Sequence, residues 1–255
     1  MTLKRTPTGI PGFDEMCEGG LVSNRAYIIA GEAGAGKTVF GLEFLHRGAT
    51  EFNEPGILVS FEEMPDDIRD NAKRFGWDLY RLEQENKFFI GDLSPQSVIG
   101  NRVFTLDSDH FDLSGLIVGL EGMIKKLGAK RIVLDPVSVL FLQLQNEGIV
   151  RRELAILSGR LGELGCTTLF ITEKPVGQEA ISRFGVEEFV SQGVILLTYR
   201  ADNLGVRKRY LEILKLRGTK HVKGRARYEM ISGKGIHVFP STPELLRLPR
   251  EEDSE

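Results

Sequence analysis

A glycine-rich octapeptide at residues 31–38, Gly-Glu-Ala-Gly-Ala-Gly-Lys-Thr, carries the strongest chemical signal in this sequence. Its spacing matches a phosphate-binding loop, and a predicted buried strand precedes it while a predicted amphipathic helix follows it. Glycines let backbone N–H groups face phosphate oxygens, a lysine neutralises phosphate charge, and a threonine hydroxyl can ligate Mg²⁺. We therefore expect nucleotide contacts from Gly31, Ala33, Gly34, Ala35, Gly36, Lys37, Thr38 and Val39.

Asp135 ends a predicted apolar strand at residues 131–135. Ligands of open α/β sheets bind at the carboxyl ends of the strands, and proteins with this loop place a Mg²⁺-binding carboxylate there. The alternative is a capping aspartate before Pro136. We favour the metal role, with Thr38 and Asp135 as the Mg²⁺ ligands.

Glu62 and Glu63 follow a second predicted strand at residues 56–61. A carboxylate at this position could polarise the water that attacks a phosphate. Neighbouring strand residues point to opposite faces, so at most one of the two is expected to face the terminal phosphate. Two solvated glutamates at a strand end are equally compatible with the pattern.

Lys215 and Arg217 are two residues apart in a run with strand character. Side chains at that spacing share one face of a strand, so both cations could contact the same anion. Spacing alone favours the alternative, which is an edge strand with a solvated basic face.

Alternating strands and helices surround these residues. Strands are predicted at 26–30, 56–61, 87–90, 131–135 and 167–172, and helices from 38, from 65, and at 116–126 and 150–164. This alternation predicts an α/β fold with a mostly parallel central sheet flanked by helices. Four further predicted strands, at 193–200, 209–216, 226–231 and 236–239, indicate a C-terminal antiparallel extension of the sheet.

Composition indicates a globular protein without a strong overall charge. The 255 residues are 41% hydrophobic and 27% charged, with a formal net charge of −3. No segment approaches the ~20 apolar residues of a membrane span, and no membrane partner is expected. The two cysteines are far apart in sequence, which favours a reducing compartment, and we expect a cytoplasmic protein. The chain is predicted to form one domain, with a core at 8–239 and a tail at 240–255.

Several segments resemble the KaiC-like branch of the RecA superfamily of P-loop proteins. The resemblance covers residues 8–239 and is much more specific than the phosphate loop alone. The segments that carry it are residues 8–14, 59–63, 75–79, 150–154, 184–190, 212–219, 221–224 and 235–240.

The resemblance implies an ATPase that forms a homo-oligomeric ring, usually a hexamer, with Mg²⁺ and ATP between subunits. It assigns Glu62 and Glu63 to water activation. It assigns Lys215 and Arg217 to the nucleotide of the neighbouring subunit. Further contacts to that nucleotide are implied for Thr219, His221 and Lys223.

One departure from the family pattern concerns autophosphorylation. Clock-type members carry two such domains in tandem, and the second has a phosphorylated Ser-Thr pair. Glu188 and Phe189 stand at that position here, so autophosphorylation of this kind is not expected. The segment 100–112 is longer than its counterpart and receives no role.

Two other functions remain open from the sequence. RadA-type recombination proteins share this core, and residues 200–227 contain ten Lys or Arg against two acidic residues. Such a patch, with loops at 143–148 and 175–184 lining a ring's channel, could bind single-stranded DNA. A nucleotide-dependent regulatory switch with negligible turnover is the third possibility.

Overall fold

The computed structural model of the protein describes residues 3–94, 113–141, 146–174, 190–201 and 205–240. The strands are β1 (Arg5–Thr6), β2 (Leu21–Val22), β3 (Ala26–Gly31), β4 (Gly56–Ser60), β5 (Phe88–Asp92), β6 (Arg131–Asp135), β7 (Thr167–Glu173), β8 (Gly193–Ala201), β9 (Arg207–Leu216), β10 (Arg225–Ile231) and β11 (Gly235–Phe239). The α-helices are α1 (Lys37–Glu51), α2 (Pro65–Lys73), α3 (Leu79–Gln84), α4 (Leu113–Leu127) and α5 (Glu147–Glu163), and two 3-10 helices span Asp14–Cys17 and Val137–Phe141.

One large sheet organises the chain, with strands in the order β11-β10-β9-β8-β3-β7-β6-β4-β5. The six neighbouring strands β8, β3, β7, β6, β4 and β5 pair in parallel. The pairs β8–β9, β9–β10 and β10–β11 are antiparallel. This confirms the predicted α/β fold of RecA-like type, with a mostly parallel sheet and an antiparallel extension.

The antiparallel extension begins one strand later than predicted. Strand β8 was expected to be its first member, but β8 pairs in parallel with β3, from Tyr27 opposite Gly193 to Gly31 opposite Leu197. The direction of a strand depends on its partner across the sheet, which a local apolar pattern does not encode.

Helices cover both faces of the parallel part of the sheet. Side chains of α1, α2 and α3 form one buried cluster with one set of strand residues. Side chains of α4 and α5 form a second cluster with the alternate residues. Because both faces are covered, the central strands are continuous apolar runs without polar alternation. Among the helices in the described ranges, none has the length and apolar character needed to cross a membrane.

Helix α5 begins three residues before its predicted start, because a cap precedes it. The Asn146 side chain accepts hydrogen bonds from the backbone N–H groups of Gly148 and Ile149. An asparagine at this position satisfies N–H groups that have no partner within the helix. Helix α2 begins at Pro65, as the proline and the following aspartates predict.

Residues 8–14 and 75–79, two of the segments that carry the family resemblance, are held in place by side-chain contacts. The Asp14 carboxylate accepts hydrogen bonds from the backbone N–H groups of Thr8 and Gly9 and from the Thr8 hydroxyl. Trp77 is buried and stacks on Phe75, with ring centroids 4.8 Å apart. These residues fix the first loop and the connection between α2 and α3.

His46 is a half-buried residue of α1 whose ring stacks on Trp77 at a centroid distance of 5.4 Å. Its Nδ1 atom is buried and has no hydrogen-bond partner within the described ranges. Burial, and then the charge of Arg47, lowers the pKa of His46 to about 4. The unfolded chain therefore binds a proton at this residue more tightly, and stability falls as the pH falls from about 6.5 to 4.

We expect His46→Gln to remove this part of the acid sensitivity. Between pH 7.5 and 5.0 the variant should lose about 1–2 kcal/mol less unfolding free energy than the parent, after allowance for the ring's partial exposure. Urea unfolding at both pH values measures this difference. His237→Gln, at an exposed position, is the control and should behave as the parent. Equal losses in the His46→Gln variant and the parent would contradict the prediction.

Candidate functional site

The phosphate loop connects the buried strand β3 to helix α1. Gly34 and Gly36 have φ values of 77° and 90°, which glycine adopts without strain. Gly36 is the N-cap of α1, and no side chain caps the helix there. The N–H groups of the first helical turn are therefore available to an anion, and the positive end of the helix dipole lies at the same point.

A cleft of about 140 Å³ opens beside this loop. It lies at the carboxyl ends of β4, β6 and β7, where open α/β sheets bind ligands. The residues that line it are Lys37, Thr38, Leu58, Ser60, Glu62, Glu63, Ile68, Asp135, Pro136 and Glu173. The structure thus brings together five of the predicted site residues from three separate segments of the chain.

Lys37 projects into the cleft from the first turn of α1. Its ammonium group donates a hydrogen bond to the Glu32 carbonyl oxygen, at 3.1 Å. Burial lowers the pKa of Lys37, and the nearby carboxylates of Asp135 and Glu173 oppose that shift. Four residues with carboxylate side chains line the cleft together with this one cation. The net negative charge of the lining favours a phosphate that carries a bound cation over a free anion.

Asp135 and Thr38 are in direct contact. The Thr38 hydroxyl donates a hydrogen bond to the Asp135 carboxylate, and burial raises the pKa of Asp135 to about 6. A hydroxyl and a carboxylate are oxygen ligands of the kind that Mg²⁺ takes, and Mg²⁺ usually completes its shell with water and substrate phosphate. The residues present therefore fit a Mg²⁺–nucleotide complex.

Glu62 and Glu63 both line the cleft, contrary to the expectation that they point to opposite faces. Strand β4 ends at Ser60, so the strand alternation stops before the pair. The Ser60 hydroxyl donates to the Glu63 carbonyl oxygen at 2.7 Å and accepts from the Glu63 N–H at 3.1 Å, which turns the chain. Burial, followed by the charges of Asp67 and Glu62, raises the pKa of Glu63.

Glu173 is a cleft residue that the sequence analysis missed. It ends strand β7, one residue beyond the predicted end of that strand, and is paired with Gly31 of β3. The rule that selected Asp135, a carboxylate at the carboxyl end of a buried strand, applies equally to Glu173. Extending the predicted strand by one residue would have identified it.

Lys215 and Arg217 lie far from the cleft of their own chain. Strand β9 is antiparallel, so its residue Leu211 is level with Leu197 near the loop, and Leu216 is level with Gly193 at the opposite edge. Five residues of strand correspond to about 17 Å. The Lys215 ammonium donates to the Ser191 carbonyl oxygen at 2.8 Å, and Arg217 follows the end of the strand and is exposed.

Three other residues with implied nucleotide contacts lie in the connection between β9 and β10. The Thr219 hydroxyl accepts a hydrogen bond from the Arg5 guanidinium at 2.9 Å. The Nδ1 atom of His221 is buried and has no hydrogen-bond partner in the described part of the chain. Lys223 is exposed. All three follow Lys215 and Arg217 in the connection that leaves the end of β9 remote from the phosphate loop.

Several predictions lie outside the described residues. These are the roles of 143–145 and 175–184 as channel loops, the segment 100–112, and the position of Glu188 and Phe189.

Comparison with known proteins gives a consistent result. The family model described as "ATPase: KaiC" matches residues 6–243. Proteins named circadian clock oscillator protein KaiC are similar to the chain. The one from Prochlorococcus marinus strain MED4 is 46% identical over 245 residues, which cover 94% of this chain and 46% of that protein. Those from Thermosynechococcus vestitus and Synechococcus elongatus are each 44% identical, covering 93% and 91% of this chain and 44% of each relative. The chain spans about half the length of these curated relatives.

Proposed function

We propose that this chain, which belongs to the KaiC family of ATPases, binds Mg²⁺ and ATP in the cleft and hydrolyses ATP to ADP and phosphate. The observation that carries the proposal is the meeting of Lys37, Thr38 and Asp135 with Glu62 and Glu63 around one cleft. Residues 8–239 would form the single ATPase domain.

Phosphate binding would use the loop and the start of α1. The loop N–H groups and the Lys37 ammonium would hold the phosphate oxygens of ATP. The Thr38 hydroxyl and the Asp135 carboxylate would hold Mg²⁺, which when bound neutralises charge on the β- and γ-phosphates.

Hydrolysis needs an oriented water molecule and a proton acceptor. A carboxylate of Glu62 or Glu63 would accept a proton from the water as its oxygen bonds to the γ-phosphorus. The bond between that phosphorus and the bridging oxygen would break, and ADP would leave with the electron pair. We assign the base to Glu62, because its carboxylate acts on the pKa of Lys37, the residue proposed to hold the phosphates.

Completion of the site would require a second copy of the chain. Lys215 and Arg217 lie about 17 Å along β9 from the phosphate loop of their own chain. In a ring, these two residues would be presented to the nucleotide of a neighbouring subunit, together with Thr219, His221 and Lys223. We propose a homo-oligomeric ring, a hexamer in the family pattern, with ATP at each interface.

Replacing Glu62 with glutamine tests the base assignment. Glutamine keeps the size of the side chain but accepts no proton, so steady-state phosphate release should fall about 100-fold or more. The affinity for Mg·ATP should change by less than about threefold, since the loop is untouched. Glu15→Gln, the same change at an exposed position away from the cleft, is the control. Phosphate release by Glu62→Gln at the parent rate would overturn the assignment.

A second candidate function is binding of single-stranded DNA, which is favoured by the ten basic residues in 200–227. Several of these already contact groups of the chain. Arg225 pairs with Glu212 at 3.3 Å, and Lys215 donates to a carbonyl oxygen. We rank DNA binding second for this reason. Salt-dependent binding to a single-stranded oligonucleotide would support it, and no binding at low salt would remove it.

A further inference from the structure

Side chains of the antiparallel extension donate hydrogen bonds to carbonyl oxygens of the phosphate loop. The Nε and Nη2 atoms of Arg209, on β9, each donate to the Gly34 carbonyl oxygen at 3.3 Å. The Tyr228 hydroxyl, on β10, donates to the Ala35 carbonyl oxygen. Two consecutive loop carbonyl oxygens therefore accept hydrogen bonds from residues that lie 175 and 193 positions later in the sequence.

Both donors are held firmly in place. The Arg209 guanidinium lies over the ring of Tyr199, 4.4 Å from its centroid. Tyr228 is 1% exposed, and burial raises its pKa, so its hydroxyl keeps its proton and acts as a donor. On the same strand, Met230 packs against Gly36, where an added Cβ would lie 2.8 Å from the Met230 sulfur atom.

A phosphate loop binds its anion with N–H groups, and its conformation must be maintained while those groups are unpaired. Glycines at two positions make this loop flexible, so ordering it would cost conformational entropy on binding. Donors fixed on its carbonyl side reduce that cost before the ligand arrives.

We infer that Arg209 and Tyr228 are positioning residues, which hold the phosphate loop in its binding conformation through the carbonyl oxygens of Gly34 and Ala35. This inference rests on the proposed nucleotide-binding function. The antiparallel strands would then act on the nucleotide site of their own chain. Lys215 and Arg217, at the other end of β9, would act on the site of a neighbouring chain.

Titration calorimetry with Mg·ATP and with Mg·ADP tests the inference on the full chain. Arg209→Ala and Tyr228→Phe should each raise Kd about tenfold for both nucleotides. The rate of phosphate release at saturating ATP should stay within about twofold of the parent, because neither side chain contacts the reacting atoms. Arg209→Lys retains one donor and should bind with intermediate affinity.

Two matched controls separate positioning from charge and from general stability. Arg207→Ala removes an exposed guanidinium that also lies near the Tyr199 ring, at 5.5 Å, but donates to the Tyr199 carbonyl oxygen at 3.4 Å. Tyr27→Phe removes a buried hydroxyl that donates to the Val22 carbonyl oxygen at 2.8 Å, away from the loop. Both controls should bind Mg·ATP within about twofold of the parent.

The outcomes distinguish this inference from the function on which it rests. If the parent binds no ATP, the proposed function fails. If the parent binds ATP while Arg209→Ala and Tyr228→Phe match their controls, the positioning role alone is wrong. An equal rise in Kd for Tyr228→Phe and Tyr27→Phe would also overturn it, since the effect would then come from general destabilisation.

Discussion

Replacement of Lys37 with alanine is expected to weaken Mg·ATP binding at least 100-fold and to reduce phosphate release to background. Among the described residues lining the cleft, Lys37 is the one cation, facing the carboxylates of Glu62, Glu63, Asp135 and Glu173. A unit charge about 4 Å from a phosphate contributes on the order of 4 kcal/mol at an effective dielectric constant of 20. Without it, the triphosphate would approach an uncompensated group of negative charges.

Titration calorimetry of the parent and Lys37→Ala measures this difference. Lys125→Ala is the matched control, because Lys125 is exposed on α4, outside the cleft. The control should bind as the parent does. An affinity of Lys37→Ala within a few-fold of the parent would show that the nucleotide does not use this loop.

The second large effect concerns Lys215 and Arg217. We expect a chain with both Lys215→Ala and Arg217→Ala to release phosphate about 1,000-fold more slowly than the parent, the scale of an arginine supplied by a neighbouring molecule. Because these residues lie at the opposite edge of the sheet from their own cleft, their loss should leave the intact loop able to bind nucleotide.

Mixing two inactive variants tests whether the site is shared. Subunits with Lys37→Ala retain Lys215 and Arg217, and subunits with the double change retain the loop. In a random equal mixture, about one quarter of interfaces in a closed ring would pair an intact loop with intact trans residues. Phosphate release should therefore recover to about one quarter of the parent rate. No recovery in assemblies shown to contain both variants would contradict a shared site.

The site residues that could be predicted from the sequence are those identified by a pattern of adjacent residues. Residues 31–38 form the expected loop because spacing and flanking elements are local, and Asp135 was found from the end of a single apolar strand. Glu173 obeys the same rule and was missed by one residue of strand length.

The remaining features depend on contacts between distant segments. The parallel direction of β8 follows from its pairing with β3. The contacts of Arg209 and Tyr228 with the loop follow from the path of the extension. The orientation of Glu63 depends on hydrogen bonds between its backbone and the Ser60 hydroxyl. Strand β4 ends at Ser60, so the alternation of strand side chains between two faces does not extend to Glu63. None of these contacts leaves a periodic or compositional pattern in the sequence.

Steady-state phosphate release from ATP is the measurement that tests whether the chain hydrolyses Mg·ATP in a ring. The purified parent chain is assayed with and without Mg²⁺ and over a range of protein concentrations. We expect phosphate release that saturates with ATP and requires Mg²⁺. The rate per subunit should rise as the chain assembles, and light scattering should detect the ring. Phosphate release no higher than that of Lys37→Ala at any concentration, with nucleotide still bound, would contradict it and support a regulatory switch.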